Sequence, residues 1–425
     1  MTYEEAQNTI LKYSSHRSCL GLKRMQPLNT LAGEPDNSLK FIHVAGTNGK
    51  GSTSVMIAQI LKEAGYKVGL FTSPSLQEFN ERLQINGTTI SDNELFTISK
   101  TLEPLLKKME ELPTEYELTV EIAFNYFKNN NCDIVILEVG LGGRFDATNI
   151  IKAPELAIIT AINFDHTELL GSTLRAITLE KCGIIKPNSN VLLFEQEDEI
   201  CNTVAEVCKQ RGASLTIENF SQIHIKSQTL KGQTLDINEL HNIFLPLLGN
   251  HQSKNACTAI NAVKLLNKQW LNISNNAIYT GLKNAFIPAR FEIINQNPLV
   301  ILDGGHNPQC FDVLTYALNE YFNKKIIFII GILKDKDYES MIKKIVPIAK
   351  FCYTVAPNSQ RALQADELSK LLTSLNVQNI PCESVDQALN LALRNTKDII
   401  CCAGSLYLAG DIRNYFKLKA GQKLI

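Results

Sequence analysis

The stretch that most constrains this chain is Phe41 to Ala64, FIHVAGTNGKGSTSVMIAQILKEA. Phe41 to Ala45 is a short apolar run that predicts a buried strand. From Ser52 onward apolar residues fall at Ile57, Ile60, Leu61 and Ala64, the i, i+3, i+4, i+7 spacing of an amphipathic helix. Between them Gly46, Thr47, Asn48, Gly49, Lys50, Gly51 and Ser52 make a glycine-rich turn that opens on a helix N-terminus. Glycines let the backbone approach a ligand and aim several N–H groups inward. The helix end adds a partial positive charge, Lys50 a full one, and the Ser52 hydroxyl can reach a metal. Such a turn is a cradle for polyphosphate. Its spacing is unusual, with two residues rather than four before Gly-Lys and Gly51 between Lys50 and Ser52. On the loop alone, an ordinary strand-to-helix turn with a solvated lysine stays open.

A chain of 425 residues has room for two or three domains with sizeable cores. The formal net charge of −1 supplies no global basic field for nucleic acid or anionic membrane, so local anion sites must bind any phosphate. Eleven cysteines form no CxxC pair and no His/Cys cluster. Cys132, Cys352, Cys401 and Cys402 sit in apolar runs, where a thiol behaves as a small hydrophobe. The acidic start shows no signal-peptide core, and no apolar run approaches the roughly 18 residues of a membrane span. A reduced, cytoplasmic protein is expected, acting on small molecules as a monomer, with neither nucleic acid nor membrane as partner.

Taken in order, residues 1–40 read as two helices ending in breakers. After the glycine loop come a strand over 66–72 closing at Ser73-Pro74, a loop and small hairpin over 75–90, and helices over 92–110 and 115–130. Cys132 to Val139 is a buried-strand run with one anomaly, Glu138, whose carboxylate is costly to bury unless paired or metal-bound. Leu156 to Ile162 is another such strand and runs into Asp165-His166. Three strands thus end at Ser73, Glu138 and Asp165/His166, and a fourth feeds the glycine loop. Interleaved helices favour parallel strands, and ligands of open parallel sheets sit outside the strands' carboxyl ends. Hard oxygen donors beside a phosphate cradle suit Mg²⁺. Singly, Ser73-Pro74 reads as a turn, Asp165 as a cap and His166 as a surface histidine. Lys181 shares a helical face with Leu174 and Ile177; on periodicity, its tip is expected to snorkel to water. The segment Leu248 to Asn255 leads into a further helix. The pattern restarts near 290–297, and strands over 300–302, 326–330, 351–355 and 398–402 follow, again with polar ends.

These residues carry a resemblance. AGTNGKGS (45–52), TSP…FNERLQING (72–87), LEVGLGGRFDATN (137–149), DHTELLG (165–171), EKCGIIKP (180–187), GNHQSKNA (249–256), PARFE (288–292), LDGGHNP (302–308) and AGSLYLAG (403–410) are similar to folylpolyglutamate synthase. That family includes bifunctional dihydrofolate synthases and belongs to the Mur ligase superfamily. The match runs in order along nearly the whole chain. The resemblance implies an α/β fold: a P-loop-containing, mostly parallel sheet domain over 1–290 and a smaller Rossmann-like α/β domain over 291–425. It implies an ATP- and Mg²⁺-dependent amide ligase that adds L-glutamate to folates, and to dihydropteroate as well, through an acyl phosphate. By motif, Thr47, Asn48, Gly49, Lys50, Gly51 and Ser52 form the phosphate loop, and Ser73, Glu138 and His166 are metal ligands. Lys181 matches a lysine that is carbamylated in similar enzymes, where it becomes a metal-binding carboxylate, which reverses the snorkelling expectation. Asn255, Arg290 and Asp303 match adenine, phosphate and ribose contacts, so that the second domain would close over ATP. His306 and Ser405 match residues near the glutamate. Leu20, Gly21 and Leu22, with Phe145, Asp146 and Ala147, match the pterin-site segments. Lys50, Lys181 and His306 are the candidates for catalysis.

Four positions depart from the family pattern. Ser75 stands where His is usual, Ala289 replaces a Gly, Gly305 an Ala and Asn163 a common Gly. Ser75 bears on the folate loop, not on the ATP site. Rival readings are a Mur-type ligase for another acid, a ligase with only one of the two activities, a P-loop switch or motor ATPase, and a small-molecule kinase. The GLGGR…DATN segment argues against another acid, and the absence of an Asn-Lys-x-Asp stretch argues against a guanine-reading switch.

Overall fold

Short apolar runs bounded by glycines and polar turns fold as strands here, and the helices between them carry apolar faces onto the sheets. The computed structural model describes residues 3–12, 14, 21–394 and 397–420. Two compact units arise. The first comprises 1–224, 235–244 and 253–285; the second comprises 225–234, 245–252 and 286–425.

The first unit holds an eight-stranded sheet: β1 (Phe41–Ala45), β2 (Val68–Phe71), β3 (Leu83–Ile85), β4 (Thr88–Thr89), β5 (Ile134–Glu138), β6 (Leu156–Ile159), β7 (Asn190–Leu193) and β8 (Ser214–Ile217). Their order is β4-β3-β2-β5-β1-β6-β7-β8. All neighbours from β2 to β8 are parallel, and the hairpin strands β3 and β4 are antiparallel. Parallel strands put β1, β2, β5 and β6 carboxyl ends on one edge, as the sequence predicts. β1 and β5 are buried throughout, which suits strands covered on both faces. One core cluster contains Phe71, Phe124, Phe127 and Leu137; another contains Ile159, Ile177, Ile184 and Val204. Each fully buried side chain of this size is worth about 1.5–3 kcal/mol of transfer free energy. The helix Lys50–Glu63 buries Met56, Ile57, Ile60 and Leu61. The helix Asn275–Lys283 lies so close to it that a Cβ on Gly281 would stand 2.5 Å from Ile60 Cα.

Three strands follow in the chain, β9 (Ile223–Thr229), β10 (Gly232–Ile237) and β11 (Leu240–Leu245), forming a sheet in the order β11-β10-β9. The helix Asn250–Asn267 begins at Asn250, so the polar segment expected to precede it is its first turns.

The second unit holds a six-stranded sheet made of β12 (Glu292–Gln296), β13 (Leu299–Asp303), β14 (Ile326–Ile330), β15 (Ala349–Thr354), β16 (Asn379–Pro381) and β17 (Ile400–Ala403). The order is β12-β13-β17-β14-β15-β16, parallel except for β12. Its core gathers Phe311, Leu314, Phe328, Ile330, Met341 and Leu368. The expected class, a mostly parallel sheet followed by a smaller α/β unit, is the one observed.

Candidate active site

The glycine loop is shaped by close approach. A Cβ on Gly46 would lie 1.8 Å from Thr160 Oγ1, so no side chain fits where the loop passes β6. Gly49 has φ 86 and caps the helix Lys50–Glu63 without any capping side chain. The N–H groups of Thr47 and Asn48 both donate to Ala161 O, at 2.8 and 3.1 Å. Thr47 Oγ1 donates to Asn163 O and accepts from Asn163 N–H, each at 3.0 Å. The loop is thereby bolted to the end of β6 while its helix end stays uncapped. Asn255, buried on the helix Asn250–Asn267, sits beside it: a Cβ on Gly49 would be 2.7 Å from Asn255 Oδ1.

Glu138 ends β5 at 6% exposure. Its Oε2 accepts the Ser73 N–H at 3.3 Å, because β2 and β5 pair in parallel and end together. The same carboxylate borders the first turn of the helix after the loop, where a Cβ on Gly51 would stand 3.4 Å from Oε2. The positive end of a helix offsets a buried negative charge, which accounts for the strand anomaly.

Lys181 does not snorkel. At 4% exposure it reaches inward, and its Nζ donates to Gly46 O at 2.9 Å. Lys50 Nζ donates to the same oxygen at 3.1 Å and to Thr47 O at 3.3 Å. Two lysine side chains therefore share one carbonyl at the mouth of an anion cradle. Burial, and then the Lys50 charge, hold the Lys181 ammonium down at about 7, with Asp165 opposing them. His166 has φ 49 and precedes the short helix Thr167–Leu170. Its N–H donates to Asp165 Oδ1 at 2.9 Å and its ring Nε2 lies 3.8 Å from that oxygen. Among the described residues no three His, Cys, Asp or Glu side chains form an all-protein metal cage. Mg²⁺ is ordinarily held by one or two carboxylates plus waters and phosphates, and the buried Glu138 at the phosphate loop fits that demand.

A cleft of about 730 Å³ in the same unit is lined by Gly21, Leu22, Arg144, Phe145, Leu169 and Glu180, among others. Phe145 and Leu169 are 46% and 56% exposed, two large apolar side chains on a wall that also carries Arg144 and Glu180. Leu20 lies outside the described residues. Asp146 and Ala147 do not line this cleft; they are buried behind it at 4% and 3% exposure. Burial raises the Asp146 pKa, and the donors around its carboxylate oppose the rise. Arg144, Leu169 and Glu180 escape a motif-based reading, although each lies in or beside a quoted motif.

In the second unit, Asp303 ends β13 and accepts from Gly305 N–H at 2.8 Å and Phe291 N–H at 2.9 Å. Burial pushes its carboxyl up and the Arg290 charge opposes this. Arg290 stands between two left-handed residues, Ala289 (φ 55) and Phe291 (φ 47), and donates to Ala289 O at 3.0 Å. His306 Nδ1 lies 3.2 Å from Gly304 O. Ser405, 1% exposed, accepts the Leu408 N–H at 3.1 Å, capping the helix Leu406–Ala420.

Comparison with known proteins assigns these features to a family. Residues 44–263 match the Mur ligase middle domain and residues 289–406 the Mur ligase glutamate ligase domain. The chain is 34% identical to the dihydrofolate synthase/folylpolyglutamate synthase of Bacillus subtilis, over 93% of this chain and 95% of that one. This chain belongs to the dihydrofolate synthase/folylpolyglutamate synthase family of Mur ligases. Another family member, the folylpolyglutamate synthase of Lacticaseibacillus casei, is 33% identical over 95% of both chains. Among solved structures, Mycobacterium tuberculosis folylpolyglutamate synthase complexed with ADP superposes with a TM-score of 0.88, at 26% identity over 97% of this chain and 98% of that one. Escherichia coli FolC in complex with DHPP and ADP gives 0.86, at 29% identity over 99% of each.

Proposed function

We propose that this chain is an ATP-dependent ligase joining L-glutamate to the carboxylate of a folate, and of dihydropteroate, through an acyl phosphate. The observation that carries it is the uncapped glycine loop with two lysines on the Gly46 carbonyl. A carboxylate is a poor electrophile until phosphorylated, and phosphoryl transfer is catalysed chiefly by positioning and charge neutralisation.

In this reading Thr47 to Ser52 hold the phosphates, and Lys50 neutralises charge that builds on the transferred group. Asn255, Arg290 and Asp303 bind the adenine, phosphate and ribose. Gly21, Leu22 and Phe145 grip the acid, while His306 and Ser405 orient the glutamate. Ser73, Glu138 and His166, with Lys181 once it is carbamylated, would hold Mg²⁺, which would supply charge neutralisation at the phosphates. A Lys181 pKa near 7 leaves much of the amine neutral at physiological pH. The neutral amine adds to CO₂, giving a carbamate and a released proton, and so removes one of two neighbouring cations. The oxygen of the acid attacks the γ-phosphorus and ADP leaves; the glutamate amine then attacks the acyl carbon and phosphate leaves.

The B. subtilis and E. coli relatives are named for both activities and the L. casei relative for one, so two acids are in play. Among the described residues no helix is long and apolar enough to cross a membrane, and every cysteine is free. We take the enzyme to act as a monomer in a reducing, cytoplasmic setting, with domains over 1–290 and 291–425. The test is product mass after incubation with MgATP, L-glutamate and either dihydropteroate or a tetrahydrofolate. A one-glutamate gain on both acids is expected. A gain on one alone restricts the chain to that activity, and none on either rejects the reading.

A further inference from the structure

β8 ends the eight-stranded sheet, so no further strand covers its outer edge. A cavity of about 580 Å³ opens there, within the first unit. Its walls are the end of β8 and the residues after it, the turn between β10 and β11, the second half of the helix Asn250–Asn267, and the start of the helix Asn275–Lys283. None of its lining residues belongs to the glycine loop, to the cleft beside Phe145 or to the second unit.

Glu218 follows β8 directly and lies in this wall at 5% exposure. Its N–H donates to Leu193 O at 2.9 Å, which continues the ladder with β7 and fixes its place. Oε2 accepts the Asn261 amide N–H at 2.6 Å and the Cys257 thiol at 3.5 Å. Oε1 meets no donor. A buried acceptor left unmet is costly. Burial pushes the carboxyl up to about 7; the Asn261 and Cys257 hydrogen bonds oppose the rise, and the Glu195 charge adds to it. The neighbouring charge thus has the wrong sign to balance Glu218. The cations of the wall are placed elsewhere. Lys264 Nζ donates to Glu239 Oε1 at 2.6 Å, and Lys268 follows the end of the helix, two turns beyond Asn261.

The same cavity has an apolar side. Ile217, 46% exposed, and Ile273 line it together. An unmet acceptor calls for an N–H, an unbalanced carboxylate for a positive charge, and the isoleucines for hydrocarbon. A bare divalent cation does not suit the place, since six or more oxygen ligands are its ordinary demand and, among the described residues, no three His, Cys, Asp or Glu side chains gather anywhere.

We propose that this cavity is a binding site for a primary alkylammonium, which sets its N–H groups on Glu218 Oε1 and lays its alkyl stem along Ile217 and Ile273. The site stands apart from the ligase reading and does not depend on it. Binding selects the ionised carboxylate, so affinity rises with pH through the Glu218 transition. The other ionisable groups around the carboxylate and the cavity are Glu195, Glu239, Lys264, Lys268 and the Cys257 thiol, and burial holds that thiol in its neutral form.

The test uses the full chain labelled at its isoleucine δ1 methyl groups, titrated with n-butylammonium chloride at constant KCl and followed by NMR. The Ile217 and Ile273 methyl signals are expected to shift and saturate at pH 8. Affinity falls about tenfold at pH 6, where a carboxyl with a pKa of about 7 is mostly protonated. n-Butanol has the same stem without the charge, and tetramethylammonium has the charge without an N–H; each binds at least tenfold more weakly, the scale of one charge-assisted hydrogen bond. Glu218→Gln weakens n-butylammonium by at least tenfold and makes its affinity independent of pH between 6 and 8. Ile217→Lys, at an exposed position, brings a cation into the cavity and causes a similar loss, read at Ile273, should Glu218→Gln not fold. Unmoved Ile217 and Ile273 methyl signals, equal binding of n-butanol, or unchanged affinity in Glu218→Gln or in Ile217→Lys would each overturn the proposal.

Discussion

Two turns in this molecule look alike in outline and differ in what they leave exposed. Each follows a parallel strand and feeds a helix: Gly46 to Ser52 after β1, and Asp303 to Pro308 after β13. In the second, the chain satisfies itself. Asp303 takes the N–H groups of Gly305 and Phe291, Asn307 accepts the Cys310 N–H at 2.9 Å, and Pro308 opens the helix Pro308–Phe322. In the first, the helix cap is a glycine with no side chain, and two lysines donate to the Gly46 carbonyl. A strand–turn–helix becomes an anion cradle when no side chain caps its helix. Glycine count does not decide it, since both turns carry glycines.

The largest effect expected from this contrast is in the first turn. Lys50→Met lowers kcat about 10³-fold, the scale of losing a transition-state charge contact, while the folded content measured by circular dichroism holds. A loss below tenfold would make the second turn a candidate for the phosphates.

Next comes pH. Lys181 drops from its ordinary 10.5 to about 7 in the folded chain. Between those values the unfolded chain binds the proton that the folded chain lacks, so stability rises with pH from about 7 to about 10. Urea midpoints at pH 7 and pH 9.5 in CO₂-free buffer, where Lys181 stays a free amine, measure it, and Lys181→Met removes that part of the rise. Identical slopes in the two proteins would mean that Lys181 is not buried as a free amine.

In the second turn the account foresees a purely structural cost. Asn307→Ala loses about 1 kcal/mol of stability, read from urea unfolding, with KM for ATP moving less than twofold. The smallest effect is a gain. Ala289 adopts φ 55, a conformation that costs a non-glycine residue about 1 kcal/mol. Ala289→Gly recovers part of it, about 0.5 kcal/mol after the entropy of glycine is subtracted, as a small rise in Tm.

The same contrast explains what could be read from the sequence. The strands of the site edge were legible because β1, β2, β5 and β6 are apolar runs that end abruptly in polar residues. β8 and β16 were not, because β8 is largely exposed and β16 is an edge strand of three residues containing a proline. The start of the helix at Asn250 was hidden by its polar first turns, which periodicity does not register. Lys181 was placed on the apolar face by its spacing, but what it reaches, Gly46 O, lies far along the chain. The motif drew attention to Asp146, which the fold buries behind the cleft that Phe145 lines: sequence similarity marks a residue without saying which way it points. The segments 225–234 and 245–252 join the second compact unit although they precede the restart of the pattern near 290.

The central claim is that the first turn serves to activate a carboxylate. Dihydropteroate carrying ¹⁸O in both carboxylate oxygens, incubated with MgATP, L-glutamate and this protein, tests it by mass spectrometry of the released phosphate. The account predicts one ¹⁸O in each phosphate and one retained in the amide. Phosphate released without label, alongside formation of the amide, would contradict an acyl phosphate and with it the role assigned to the loop.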